Sequence, residues 1–271
     1  MEIIDPHIHM VSRTTDDYER LAFAKVVAVS EPAFWAGFDR TGVDSFRDYF
    51  RQLTEFEPAR AEKYGIQHYC WMCVNAKEAE NVELSREVMA IIPEFLDCPT
   101  VLGIGEIGLN KNTPNELIIF EEQVQLALEH DQIILIHTPH LEDKKKGTLM
   151  IIDALRNQGV APGRVLIDHV EEHTVKAVLD NGFWGGMTIY PISKCSPKRG
   201  VDILERYGTE RIMVNSAGDW GHSDPMNTHR TLMEFLRRGH PKTEAIRVFH
   251  DNPCRFFGQS PKWKIAPILA D

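Results

Sequence analysis

Short β-branched and apolar runs alternate along this chain with segments whose apolar residues recur at helical spacing. Eight runs read as strands: 2–9, 25–31, 66–75, 101–109, 133–140, 164–171, 183–189 and 211–219. Between them, segment 115–130 carries Leu117, Phe120, Val124, Ala127 and Leu128 on one stripe, and 148–158, 172–181, 201–207 and 228–238 repeat the i, i+3, i+4 pattern. Glycines mark several helix ends, at Gly159, Gly182, Gly208 and Gly239. The run Ile133-Ile134-Leu135-Ile136 is apolar on both faces, as a parallel strand covered on both sides requires.

Eight strands alternating with helices belong to the α/β class, as a closed parallel barrel or an open doubly wound sheet. The length of 271 residues suits a (β/α)8 TIM barrel, which takes about 250. An open dinucleotide-binding sheet would need a glycine-rich turn after its first strand, but the first glycine here is Gly37. No linker divides the chain, so residues 1–271 read as one domain. The stretch 32–64 carries Phe34, Trp35, Phe38, Phe46, Tyr49 and Phe50, and reads as a lid over the barrel mouth or as packing against it. Segment 261–271, with two prolines, reads as a loose tail.

Composition sharpens the picture modestly. Net charge is −10, which argues against non-specific nucleic-acid binding without excluding a local basic patch. Five scattered cysteines and no basic-then-apolar leader point to a cytoplasmic setting. Cys70 and Cys73 form a lone CxxC without a second pair, a weak redox or zinc signal. No run approaches the ~18 apolar residues of a membrane span.

The chemistry gathers at strand ends. Asp5, His7 and His9 alternate with Pro6 and Ile8, so period two puts the polar side chains on one face. The fourth strand places Glu106 among Gly103, Gly105 and Gly108, and glycines inside a strand mark close approach of a backbone or ligand. The fifth and sixth strands reach their polar ends at His137 and at Asp168-His169. From His9 to Glu106 is 97 residues, then 31 to His137 and 32 to His169. These are near-multiples of the ~31 residues of one barrel unit, so the residues recur at one phase, at the C-terminal strand ends where barrel enzymes work. Imidazoles with a carboxylate suit zinc, manganese or iron better than magnesium, and so many donors point to two divalent ions. His140, His173 and His222, just past strand ends, stand as outer or substrate contacts, with Trp220 beside His222. Lys144-Lys145-Lys146 and Lys198-Arg199 read as solvated loop charge, with capture of an anion as the alternative.

Together these motifs resemble the TatD-like metal-dependent hydrolases of the amidohydrolase superfamily. Asp5-Pro6-His7-Ile8-His9 resembles the family's DxHxH opening, Gly105-Glu106-Ile107-Gly108-Leu109 its GEIGLD motif with Asn110 for the last Asp, and Asn252-Pro253-Cys254-Arg255-Phe256-Phe257-Gly258 its closing helix. The resemblance implies that His7, His9 and Glu106 hold one metal, and Glu106, His137 and His169 a second. The family's ETD is absent at Asn215-Ser216-Ala217; Asp219 becomes the ligand and general base, with Asp224 in reserve. The sequence also resembles TatD-like hydrolases of secondary-metabolite clusters, which implies a small-molecule substrate rather than DNA. The expectation is a hydrolase in which a metal-bound hydroxide attacks a phosphoester. The alternatives are carboxyl-ester or amide hydrolysis, or a metal-retaining barrel that binds without turnover.

Overall fold

The computed structural model describes residues 1–140 and 143–269. Eight parallel strands run in sequence order around one sheet: β1 (Ile3–Asp5), β2 (Val26–Pro32), β3 (Gln67–Met72), β4 (Val101–Gly108), β5 (Ile133–His137), β6 (Val165–Ile167), β7 (Trp184–Thr188) and β8 (Ile212–Asn215). Helices fill the connections, giving the expected (β/α)8 barrel. The ring is joined beyond the strand ends: Ala217 N–H donates to His7 C=O (2.8 Å) and His9 N–H to Gly218 C=O (2.8 Å). Ser216 N–H adds a bond to Asp5 Oδ1 at 3.2 Å.

Several strands are shorter than the hydropathy pattern suggests. β1 stops at Asp5 rather than residue 9, β5 at His137 rather than 140, β6 at Ile167 rather than 171 and β8 at Asn215 rather than 219. The residues at these predicted ends leave the ladder and take single partners on neighbouring segments, as Thr138 Oγ1 does on Asp168 C=O (2.8 Å), Val170 N–H on Gly186 C=O (3.0 Å) and Ala217 N–H on His7 C=O (2.8 Å). Helices start earlier than the apolar pattern showed. Lys144–Asn157 takes in the lysine triplet and Pro197–Tyr207 takes in Lys198 and Arg199, so neither basic group lies in a loop. Lys144 is buried and pairs with Glu171 (3.5 Å), while Arg199 pairs with Glu172 (2.7 Å). Leu128, placed on the buried stripe of its helix, is 41% exposed.

Ile4, Ala28, Trp71, Leu102, Leu135, Leu166 and Met213, one from each of seven strands, form an inner cluster with Phe256, Phe257 and Trp263. Asn252 Nδ2 donates to the carbonyls of Thr209 (2.7 Å) and Ile212 (2.6 Å) at the start of β8, and Gln259 to Gly163 C=O (3.0 Å) before β6, so helix Asn252–Phe257 and Trp263 plug the N-terminal end of the barrel and leave the other open. Trp263 therefore anchors the segment read as a loose tail, and Asp251 fixes Ile268 N–H at 2.8 Å. Ala270 and Asp271 lie outside the described residues. A larger cluster packs the helices against the barrel's outer face. It includes Phe46, Tyr49 and Phe50 from the 32–64 stretch, which folds partly into helices Val43–Arg51 and Glu57–Glu62. All five cysteines are free, and burial pushes the Cys70 and Cys73 thiols up, against a redox role. Among the described residues no helix is long and apolar enough to cross a membrane.

Candidate metal centre

Four imidazoles and one carboxylate converge at the open end. His7 Nε2 lies 3.0 Å from His9 Nε2 and 3.7 Å from Glu106 Oε2; His9 Nε2 lies 3.8 Å from Glu106 Oε1. On the other side, His137 Nδ1 lies 3.1 Å from both Glu106 Oε2 and His169 Nε2. All five side chains are buried. Glu106 therefore stands between two histidine pairs, each delivered by neighbouring chain segments at the barrel mouth. The approach of β4 to β5 that brings Glu106 against His137 depends on glycine. A Cβ on Gly108 (φ +147°) would sit 2.0 Å from the His137 carbonyl oxygen.

Three of the four imidazoles and the carboxylate are in the form a cation needs. Burial holds the His9, His137 and His169 rings below their ordinary pKa, hence neutral with a free lone pair. For His7 burial works in the same direction, but Glu106 and Asp168 outweigh it and the net shift is upward. Burial alone would raise Glu106; His7 and His137 hold it well below the usual carboxylate range. The second ring nitrogens of His7 and His169 are occupied by orienting partners. His7 Nδ1 meets Asp168 Oδ2, and His169 Nδ1 meets Thr188 Oγ1 at 2.7 Å, which leaves both Nε2 atoms facing the centre. The buried His9 Nδ1 and His137 Nε2 have no partner among the described residues. The facing imidazole nitrogens can pair with one another as N–H···N, and together with the Glu106 carboxylate they are equally the nitrogen and oxygen donor set that divalent cations take. The residues present fit divalent metal.

The other predicted residues fall variously. Asp219 lines the cleft, but its Oδ1 accepts from Tyr190 (3.2 Å), Ser223 (3.2 Å) and Gly221 N–H (2.7 Å). Asp224 is taken up by Arg20 (3.0 Å) and Arg230 (2.6 Å). His140 lines the cleft with its ring 5.2 Å from that of His137. His222 is exposed and does not line it, and His173 is exposed beside Glu171 and Glu172. Trp220, 47% exposed, instead lines an adjoining pocket of about 320 Å³ and lies 5.2 Å from Phe34.

Sequence reasoning missed several neighbours of the centre. Asp168 adjoins His169 at the end of the sixth strand, and the sequence pattern assigns it no role. Phe34, grouped with the lid aromatics, stacks on His9 at 3.8 Å. Asn75 Nδ2 donates to Glu106 Oε1 at 3.2 Å. Lys194 and Lys77 line the cleft, which is small, about 30 Å³. Burial, then the nearby Lys144, pushes the Lys194 ammonium down to about 8. Its position just past the seventh strand is the signal that the sequence offers.

The family model described as TatD related DNase matches residues 4–258. An uncharacterized metal-dependent hydrolase of Methanocaldococcus jannaschii is 27% identical over 256 residues, covering 94% of this chain and 99% of that protein. Among solved structures, a TatD-like protein from Archaeoglobus fulgidus superposes with a TM-score of 0.76 at 23% identity, over 94% of this chain and 99% of its own. The phosphotriesterase homology protein of Escherichia coli, complexed with phosphate in its active site, gives a TM-score of 0.68 at 16% identity, over 94% and 98%.

Proposed function

The chain belongs to the TatD-related DNase family, and from that premise we propose that this metal-dependent hydrolase is a two-metal phosphoesterase acting on a small molecule. The observation that carries the reading is the pair of histidine couples around Glu106, with nitrogen separations of 3.0 and 3.1 Å. His7, His9 and Glu106 would hold one ion, and Glu106, His137 and His169 the other. Bound divalent ions would make a water nucleophilic near neutral pH and stabilise charge on the scissile group. Asp219 receives the proton of the attacking water and returns it to the leaving oxygen. Tyr190, Ser223 and the Gly221 amide hold its Oδ1, which fixes the plane of the carboxylate. Phe34 shields His9 from water by stacking on it, and we take the 32–64 stretch as the lid that carries it, within one domain spanning the chain.

Two features support a small phosphoester over a nucleic-acid strand. The net charge is −10. The Escherichia coli relative holds phosphate in its active site.

The test is turnover of aryl phosphoesters by metal-loaded protein, with metal content measured alongside. Asp219→Asn should lower kcat by about 10²–10⁴, the usual span for losing a general base, with metal retained. His7→Ala should lose metal. Unchanged turnover in Asp219→Asn removes its role, and stoichiometric metal without turnover on phosphoesters, carboxyl esters or amides would favour a barrel that only binds.

A further inference from the structure

Among the cations of this chain, Lys194 is placed unlike the rest. Its backbone is pinned, with its N–H on Tyr190 C=O (2.8 Å) and its C=O accepting from Arg199 (2.8 Å). Its side chain lies against the Tyr190 ring, with Nζ 4.8 Å from the centroid, and lines the cleft with His9, Glu106, His137, His169 and Asp219. Lys194 is only 9% exposed. Among the described residues, no carboxylate or carbonyl hydrogen-bonds its Nζ. The contrast with Lys144 is instructive, because that buried ammonium has Glu171 at 3.5 Å and the His169 carbonyl at 2.6 Å. Burying an unpaired cation costs several kcal/mol, so a position that keeps one implies an anion that arrives later. Lys77 supplies a second ammonium to the same cleft, with Nζ 4.7 Å from the Trp35 ring.

We propose that Lys194, reinforced by Lys77, is a substrate-binding residue that holds a terminal phosphoryl oxygen, and that the substrate is therefore a phosphomonoester. Two carboxylates, Glu106 and Asp219, already face two ammonium groups in the cleft. Divalent ions would leave the cleft in excess positive charge, which favours a dianion over a monoanion or neutral ester. A monoester also presents three terminal oxygens where a diester presents two, and so has one to spare for an ammonium. The proposal rests on the phosphoesterase reading above and narrows it.

The test compares metal-loaded wild type with Lys194→Met. Calorimetry with inorganic phosphate as the probe should show affinity reduced about tenfold or more, as expected for the loss of a charge-assisted hydrogen bond. Metal content by mass spectrometry should not change. The ratio of p-nitrophenyl phosphate to bis(p-nitrophenyl) phosphate turnover should fall by at least the same factor, with Lys194→Arg recovering part of it. A smaller loss of phosphate affinity, or an unchanged ratio where both esters turn over, overturns the proposal. Phosphate held through Lys194 without hydrolysis of any ester would instead sink the phosphoesterase reading while sustaining the anion site. Removing an unpaired buried charge should not harm the fold, and Lys194→Gln provides the same measurement if the Met variant is poorly soluble.

Discussion

Asp168 is the residue on which the geometry of the histidines depends. It is fully buried, accepts from His169 N–H (2.7 Å) and Asn215 Nδ2 (2.8 Å), and meets His7 Nδ1. Burial alone would raise its pKa, but the His169 and His7 rings hold it below the usual carboxylate range. It thus stays charged and keeps His7 oriented with Nε2 toward the centre. Gly186 on β7 faces it: a Cβ there would lie 2.3 Å from Asp168 Oδ1 and 3.3 Å from its Cα. Gly186→Ala must therefore move the carboxylate. Loss of such an orienting partner lowers metal affinity by about 10- to 100-fold, measurable by competition with a chromogenic chelator. Gly185→Ala is the control, since its Cβ would meet Val170 Cγ2 at an ordinary 3.6 Å. Equal affinities in the two variants would show that Asp168 does not set the site. None of this was readable from the sequence, because Gly186, Asn215 and Asp168 come together only through the register of β6, β7 and β8.

At the scale of elements, the alternation of strands and helices was legible, and so was the phase of His9, Glu106, His137 and His169 within successive units. Strand ends were not. Hydropathy continues through Ile8 and Leu109, but past the strand ends only single backbone bonds persist, Ile8 N–H to Ser30 C=O and Leu109 N–H to His137 C=O, and such partners are long-range. The helix layer offers a test of coupling between distant elements. His229, in the first turn of helix Asn227–Arg237, donates from Nε2 to Ala24 C=O (2.8 Å), just past helix Thr15–Phe23. Burial lowers the pKa of this ring from its ordinary 6.5. Below about pH 6.5 the unfolded chain takes up a proton that the folded ring resists, so this group's share of stability is lost as pH falls through that value. His229→Gln keeps a donor but does not titrate. Its melting temperature should drop less than that of wild type between about pH 7.5 and about pH 5.5. Equal drops in the two proteins would mean that His229 contributes nothing to acid sensitivity.

For the whole molecule, net charge was a poor guide to the cleft. A chain of charge −10 places two lysines beside a cluster of buried histidines, and the acidic excess lies elsewhere. What the centre does for the fold follows from where its ligands originate. They come from the ends of β1, β4, β5 and β6, and the segment after β8 closes onto the same place through Ala217 and His7. An ion held there ties together parts of the chain more than 150 residues apart, as His7 and His169 are, and binds the folded state only. At an ion concentration of about 100 times Kd, such binding adds about 2.7 kcal/mol. For a chain of this size each kcal/mol moves the melting temperature by about 2–4 °C, so chelation should lower it by about 5–10 °C. His9→Ala should reduce that difference strongly, because it removes a donor from one histidine pair. Asp219→Asn should preserve most of it, since the Asp219 carboxylate is held by Tyr190, Ser223 and Gly221 instead of lying among the imidazoles. Calorimetric scans of the three proteins with and without chelator therefore separate the cluster's role as a metal site from the role of Asp219 in turnover. An identical melting temperature for loaded and chelated wild type would refute the metal centre itself.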